Sequence, residues 1–369
     1  QIAAVKNTGP AGESSICRDV LLTDAFLSLA KDLKYGRVNS RDSASDSLEI
    51  FLLQAVLQEG GLLNHLEFQE PRFAGYQSLK AGLKTLLDAA SITDRKLLLG
   101  GVTFDSIPLH KTVQMIEINL ERWRWEKKQW ENRYIFINIP SFMLQLVTKG
   151  GLVLESRVIV GKPENQTPEL SSVIQCFVTY PYWQVPRKIS VEEFLPYIQE
   201  DTSFLRRNNF DVLDRKGMLL DPDSLNWKSF RKDYFPVVLR QREGPENSLG
   251  IIKFVFDNPY AVFLHDTNAK RLFRNDFRAF SHGCIRMEKS IELAHYLVTE
   301  DIGRKSDMLK NYLRQELRHT VDVQNPIPIH TRYFTIESRG DQLIIFDDIY
   351  NKDQELIDNL YVRHTRSYY

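Results

Sequence analysis

Two short stretches hold the residues best suited to nucleophilic chemistry. They are Phe263-Leu264-His265-Asp266-Thr267 and Ser281-His282-Gly283-Cys284-Ile285-Arg286. A cysteine nucleophile needs a base to take its proton and donors to hold the oxyanion. Gly283 lets the backbone turn sharply beside the thiol and leaves room for a substrate. After Met287, the residues Ile291, Ala294, Leu297 and Val298 recur at helical spacing. That spacing places Cys284 just before a helix N-terminus, where the dipole favours a thiolate. Backbone N–H groups around Gly283 and Cys284 would then serve an oxyanion. His265 closes an apparent strand, Tyr260 to Leu264, a rigid mount for a general base. His282 lies near Cys284 in sequence but is less suited to face it. Taken singly, a cysteine is more often a small buried hydrophobe, and a histidine a satisfied structural residue. A zinc site from His265, His282 and Cys284 matches no usual ligand spacing.

The elements that must position these residues fall into two regions. The chain has 369 residues, which suits about two folding units. Lys+Arg and Asp+Glu both number 48, so the basic excess of a nucleic-acid binder is absent. No apolar run reaches the length of a membrane span, and no signal-peptide pattern is visible. The sequence opens at Gln1 without Met, which predicts an upstream segment such as an export signal. Cys17, Cys176 and Cys284 are too few for a disulfide scaffold, though Cys17 and Cys176 could pair in an oxidising compartment. Residues 1–20 read as a loose lead-in. Helical periodicity then marks Leu22 to Gly36, about Ser45 to Gln58, about Tyr76 to Leu87 and about Leu109 to Trp125, a small helical domain over 21–130. From Tyr134 the pattern turns to β, with Tyr134–Ile139, a hairpin around Gly150-Gly151, Val173–Val178, Ile251–Phe256, Tyr260–Leu264, Tyr333–Ile336 and Leu343–Phe346. This predicts a sandwich or barrel.

The polar stretch from about Glu192 to Tyr234 interrupts the β region and is too long for an ordinary loop. Phe194, Leu195, Phe204, Leu205, Phe210, Trp227, Phe230 and Tyr234 can pack onto a surface. Asp201, Arg206, Arg207, Asp211, Asp214 and Arg215 can meet a charged peptide. These features predict a lid, against the alternative of a permanently docked subdomain that covers a sheet edge.

His265, fifteen intervening residues and Ser281-His282-Gly283-Cys284 resemble the signature of the L,D-transpeptidase catalytic domain, the YkuD domain. Other segments resemble the large periplasmic members of the YcbB type: Leu22-Thr23-Asp24-Ala25, Ile116 to Trp125, Tyr182-Trp183-Gln184-Val185-Pro186, Leu239 to Gly244, Ser248 to Phe254, and Asp347-Asp348-Ile349-Tyr350. The resemblance implies an α+β protein. A helical scaffold domain would precede a mainly β-sandwich catalytic domain over 131–358, with a lid at about 192–234 and a tail over 359–369. It departs in two places. Only about Ser91 to Pro108 lies where the family commonly inserts a peptidoglycan-binding domain, and Arg286 stands where many members carry Asn.

The resemblance implies peptidoglycan stem peptides as donor and acceptor, carbapenem-type inhibitors, no metal, no cofactor, and a place in the periplasm or cell envelope. Cys284 would attack the L,D amide, release D-Ala and form a thioester that a second stem's amine resolves into a 3→3 cross-link. His265 would act as base, oriented by a backbone carbonyl, that of Asp266. The N–H groups of His282, Gly283 and Cys284 would hold the oxyanion. Ser281, Arg286, Trp183 and Tyr182 fall on the substrate side, with a salt bridge from Arg286 to Glu288 or Asp266 as the alternative. Rival activities are an L,D-carboxypeptidase, D-amino-acid exchange and a sortase-like transpeptidase; a non-catalytic peptidoglycan-binding scaffold is the rival of another class. Acceptor identity and oligomeric state stay open.

Overall fold

Helices and a set of alternating strands carry the architecture of the computed structural model. It describes residues 13–38, 66, 69–90, 98–99, 102–103, 107–126, 129–302, 306–340 and 342–361. The helix expected over about 45–58 lies outside them. Two compact units emerge, residues 131–333 and the segments 1–130 with 334–369.

The helical unit contains α1 (Glu13–Tyr35), α2 (Ala74–Ala90) and α3 (Leu109–Arg124). Residues 13–20, expected in the loose lead-in, belong to α1. One face of α3 buries Ile116, Leu120 and Trp123.

The second unit is built on a nine-stranded sheet. Its strands begin with β1 (Tyr134–Asn138), β2 (Met143–Thr148), β3 (Gly151–Gly161) and β4 (Leu170–Thr179). β5 (Trp183–Gln184), β6 (Phe210–Leu213), β7 (Leu219–Leu220) and β8 (Val238–Gln241) form a separate four-stranded sheet in the order β5-β8-β6-β7. The main sheet resumes with β9 (Ile252–Phe256), β10 (Leu264–His265), β11 (Ala279–Ser281) and β12 (Ile285–Met287). Helices α4 (Ser290–Ile302) and α5 (Ser306–Arg314) precede the long β13 (His319–Arg332). β3 pairs with β2 over Gly151–Arg157 and with β12 at Val158 and Ile159, so the strand order closes on itself. The strand expected over Tyr260–Leu264 is shorter. Ala261 has φ +53°, and pairing begins only at Leu264.

The four-stranded sheet belongs to an insertion broader than the stretch 192–234. It leaves the main sheet after Tyr180, whose N–H donates to the Ile251 carbonyl at 2.8 Å, and returns at that residue. It has its own core of Val185, Ile198, Leu205, Val212, Trp227 and Leu239. Its carboxylates differ from the expectation of a peptide-facing set. Asp201 is held by Arg207 and Ser203, Asp211 by Arg240 and Arg242, and Asp214 accepts the Lys216 and Met218 N–H groups. These carboxylates stabilise the insertion itself.

After Tyr333 the chain adds a hairpin, β14 (Ile336–Arg339) with β15 (Gln342–Ile345), and α6 (Asp353–Tyr361). The sequence pattern places this segment, to residue 358, with the β region, whereas in the fold it packs with the helices. Two side-chain interactions hold it there. Phe334 stacks on Trp123 at 4.3 Å between centroids, and buried Asn119 exchanges two hydrogen bonds of 2.9 Å with Thr335.

Candidate active site

The pleat of the main sheet sorts its residues onto two faces. Ile252, Phe254, Leu264 and Ile285 are fully buried on one. Lys253, His265 and Arg286 therefore stand on the other. They form one row across three strands, because Lys253 pairs with His265 and His265 with Arg286. Cys284, two residues before Arg286, falls on the same face. The Ile285 N–H donates to the Phe263 carbonyl at 2.9 Å, which fixes this loop beside the strand that carries His265.

His265 is 4% exposed, and its Nδ1 lies 2.5 Å from the Asp266 carbonyl oxygen. A carbonyl can only accept, so Nδ1 carries the proton and Nε2 keeps its lone pair. Burial, reinforced by the Arg286 charge, pushes the imidazole pKa down to about 3. The residue is a neutral base across physiological pH. The Asp266 carboxylate has a different task. It accepts the Ile251 N–H at 3.0 Å and pairs with Lys270. Gly250, at φ +60°, is required there, because a Cβ would collide with Asp266 Oδ2. Asp266 thus orients the histidine through its backbone and pins the return of the insertion through its side chain.

The Cys284 loop is braced from within. Ser281 Oγ donates to the Cys284 carbonyl at 2.5 Å and accepts the Gly283 N–H at 3.1 Å. Gly283 has φ +111°, a backbone that L side chains rarely adopt. Its carbonyl accepts from Thr167 Oγ1 at 2.9 Å, and Thr167 Oγ1 accepts the Gly161 N–H at 2.8 Å. Sequence reasoning missed Thr167, which no motif or spacing marks.

Two expectations are corrected here. Cys284 does not precede a helix: β12 follows it, and α4 starts only at Ser290. A helix dipole acts within its first turn and does not reach the thiol. Burial instead pushes the Cys284 thiol up, and the Phe263 backbone, Lys253 and Arg286 oppose this. The oxyanion set also changes. Gly283 gives its N–H to Ser281, while those of His282 and Cys284 make no hydrogen bond among the described residues.

His282 turns outward, with Nε2 2.5 Å from Glu193 Oε1. It ties the loop to the helical run that opens the insertion. Arg286 is half-buried and makes no ion pair with either carboxylate considered in the sequence: Glu288 lies 3.9 Å from Arg157, and Asp266 holds Lys270. Tyr182 lies against two guanidinium groups, Arg240 at 4.8 Å and Arg318 at 5.0 Å from its ring centroid. Trp183 is taken up by the insertion core, 6.1 Å from Phe194 and 6.4 Å from Phe210. Cys17, Cys176 and Cys284 are all free thiols, so Cys17 and Cys176 do not pair. Among the described residues no His, Cys, Asp and Glu side chains gather as a metal-ligand cluster.

Comparison with known proteins identifies the family. The family profile of the L,D-transpeptidase catalytic domain matches residues 132–322, more than half the chain, and that of a scaffold domain matches residues 1–83. A Haemophilus influenzae protein provisionally named an L,D-transpeptidase is 34% identical over 222 residues, 60% of this chain. The chain spans only 45% of that relative's length. Similar solved structures include an L,D-transpeptidase from Mycobacterium smegmatis, 14% identical with a TM-score of 0.26, covering 55% of this chain and 58% of that one. Another is the catalytic domain of the E. faecium enzyme acylated by ertapenem, 12% identical with a TM-score of 0.25, covering 56% and 100%.

Proposed function

Because this chain belongs to the L,D-transpeptidase family, we propose that it cross-links peptidoglycan stem peptides through a thioester on Cys284. The observation that carries this reading is the single sheet face that joins Cys284, a neutral, Nδ1-protonated His265 and two cations. His265 Nε2 takes the thiol proton as sulfur attacks the amide carbonyl between the L-centre of diaminopimelate and D-Ala. The N–H groups of Cys284 and His282 receive the oxyanion, and Gly283 keeps the loop in the conformation that presents them. As the intermediate collapses, His265 returns the proton to the amine of D-Ala, which leaves. An amine of a second stem then attacks the thioester. His265 takes its proton and restores the thiol, giving a 3→3 cross-link. Arg286, a cation without a carboxylate of its own among the described residues, suits a donor carboxylate through its planar fork. The substrate places this activity at the cell envelope. A carbapenem is expected to acylate the same sulfur.

Incubation with disaccharide-tetrapeptide, followed by mass spectrometry, tests the reading. Cross-linked dimer and released D-Ala are expected, and Cys284→Ala abolishes both together with the carbapenem adduct. Trimmed monomer alone would make the protein an L,D-carboxypeptidase. Product that survives in Cys284→Ala would overturn the assignment of the nucleophile.

A further inference from the structure

Lys253 is a cation in an unusual position. It sits on a central strand of the main sheet, between Ile252 and Phe254, which are fully buried. No carboxylate lies within ion-pair distance of its ammonium among the described residues. Its Nζ lies 3.5 Å from the centroid of the Phe263 ring. Phe263, just ahead of β10, accepts through its carbonyl the N–H of Ile285, the residue after Cys284. The ammonium therefore lies over the residue whose backbone holds the segment that follows Cys284.

We infer that Lys253 is the counter-cation of Cys284, a positioning residue that balances the thiolate and so sets how readily this half-buried sulfur reacts. The inference rests on Cys284 being the nucleophile. The other charged and titratable groups around the pair are accounted for. His265 stands on the strand between them and is neutral. Arg286 shares the face of Cys284, and its fork suits a planar carboxylate better than a single sulfur. Arg318, exposed ahead of β13, acts on Lys253 only as a like charge. Cys176 on β4 and Asp322 on β13 are paired in the ladder and flank Lys253 on its other side. Glu193 is engaged with His282. Among the described residues, the positive charge that favours the thiolate comes from Lys253 and Arg286, and Lys253 is the compact, point-like one.

Lys253→Met keeps the aliphatic bulk against Phe263 and removes the charge, whereas Lys253→Arg restores the charge. The probe is the rate at which iodoacetamide alkylates Cys284, followed by intact mass from pH 6 to 10, with Cys284→Ala as blank. Loss of an adjacent opposite charge is expected to slow alkylation about tenfold near pH 7. The deficit should close as the pH passes the raised thiol pKa, and Lys253→Arg should recover most of the rate. A deficit equal at every pH, or no deficit, overturns the inference. If Lys253→Met lacks a cooperative melting transition, Lys253→Gln and Lys253→Arg are compared in the same way, and equal profiles for those two overturn it. The separate reading of Cys284 fails only if tetrapeptide product survives in Cys284→Ala. The two failures are therefore distinguishable.

Discussion

His265 shows how a side chain's chemistry is set by what surrounds it. The unfolded imidazole titrates near 6.5, while burial and Arg286 hold the folded one at about 3. Between those values the unfolded state binds more protons, so stability falls as the pH drops from about 6.5 toward 3. Melting temperatures measured over that range should decline in the wild type and decline less steeply in His265→Gln; parallel curves would exclude His265 as the cause. Ser281 acts by a different route, since its hydroxyl serves the Gly283 N–H and the Cys284 carbonyl together. Ser281→Ala strands both groups, at a cost of about 1–3 kcal/mol. We expect kcat to fall more than KM rises, because the loop that presents the oxyanion donors loosens. An unchanged kcat with a lower melting temperature would leave Ser281 with a purely structural role.

At the scale of elements, the insertion is a folded body with an aromatic interior. Phe194, Phe204 and Phe210 lie 5.2 to 6.2 Å apart between centroids. Its sheet and core make it a folded subdomain rather than a bare loop. It touches the catalytic loop through Glu193 and His282, side chains that are 44% and 30% exposed. A polar contact this open contributes at most about 1 kcal/mol to stability. Glu193→Ala should therefore barely move the melting temperature, yet slow acylation of Cys284, because the neighbouring His282 N–H loses its anchor. Carbapenem acylation followed by intact mass reads this directly. Acylation at the wild-type rate would show that the contact holds nothing in place.

For the molecule as a whole, the C-terminal segment completes the helical unit. Arg122 and Asp353 form an ion pair at 2.7 Å, with side chains 6% and 13% exposed, and Thr335 donates to the same carboxylate at 2.8 Å. Burial raises the Asp353 pKa, and Arg122 counters it. Arg122→Met leaves a buried carboxylate without its partner, which costs about 3–5 kcal/mol. Arg122→Met with Asp353→Leu should recover much of that loss in denaturant unfolding. A double variant no more stable than the single one would show that the pair acts through something other than its charge.

The candidate nucleophile and base were legible in the sequence, because they depend on residue type and short spacing: His265, then Ser281-His282-Gly283-Cys284. The division into helical and β regions was legible too, since periodicities of 3.6 and 2 survive in any context. What followed Cys284 was not. Ile285-Arg286-Met287 form a strand because β10 offers parallel hydrogen bonds, a partner about twenty residues away that no local pattern displays. The same blindness hid Thr167, whose hydroxyl reaches Gly283 across 116 positions. It also hid the row of Lys253, His265 and Arg286, which exists only once three strands are in register. Local sequence determined which groups are chemically competent. Tertiary structure decided their charge and company, because burial and cross-strand neighbours act through space, where distance along the chain carries no information.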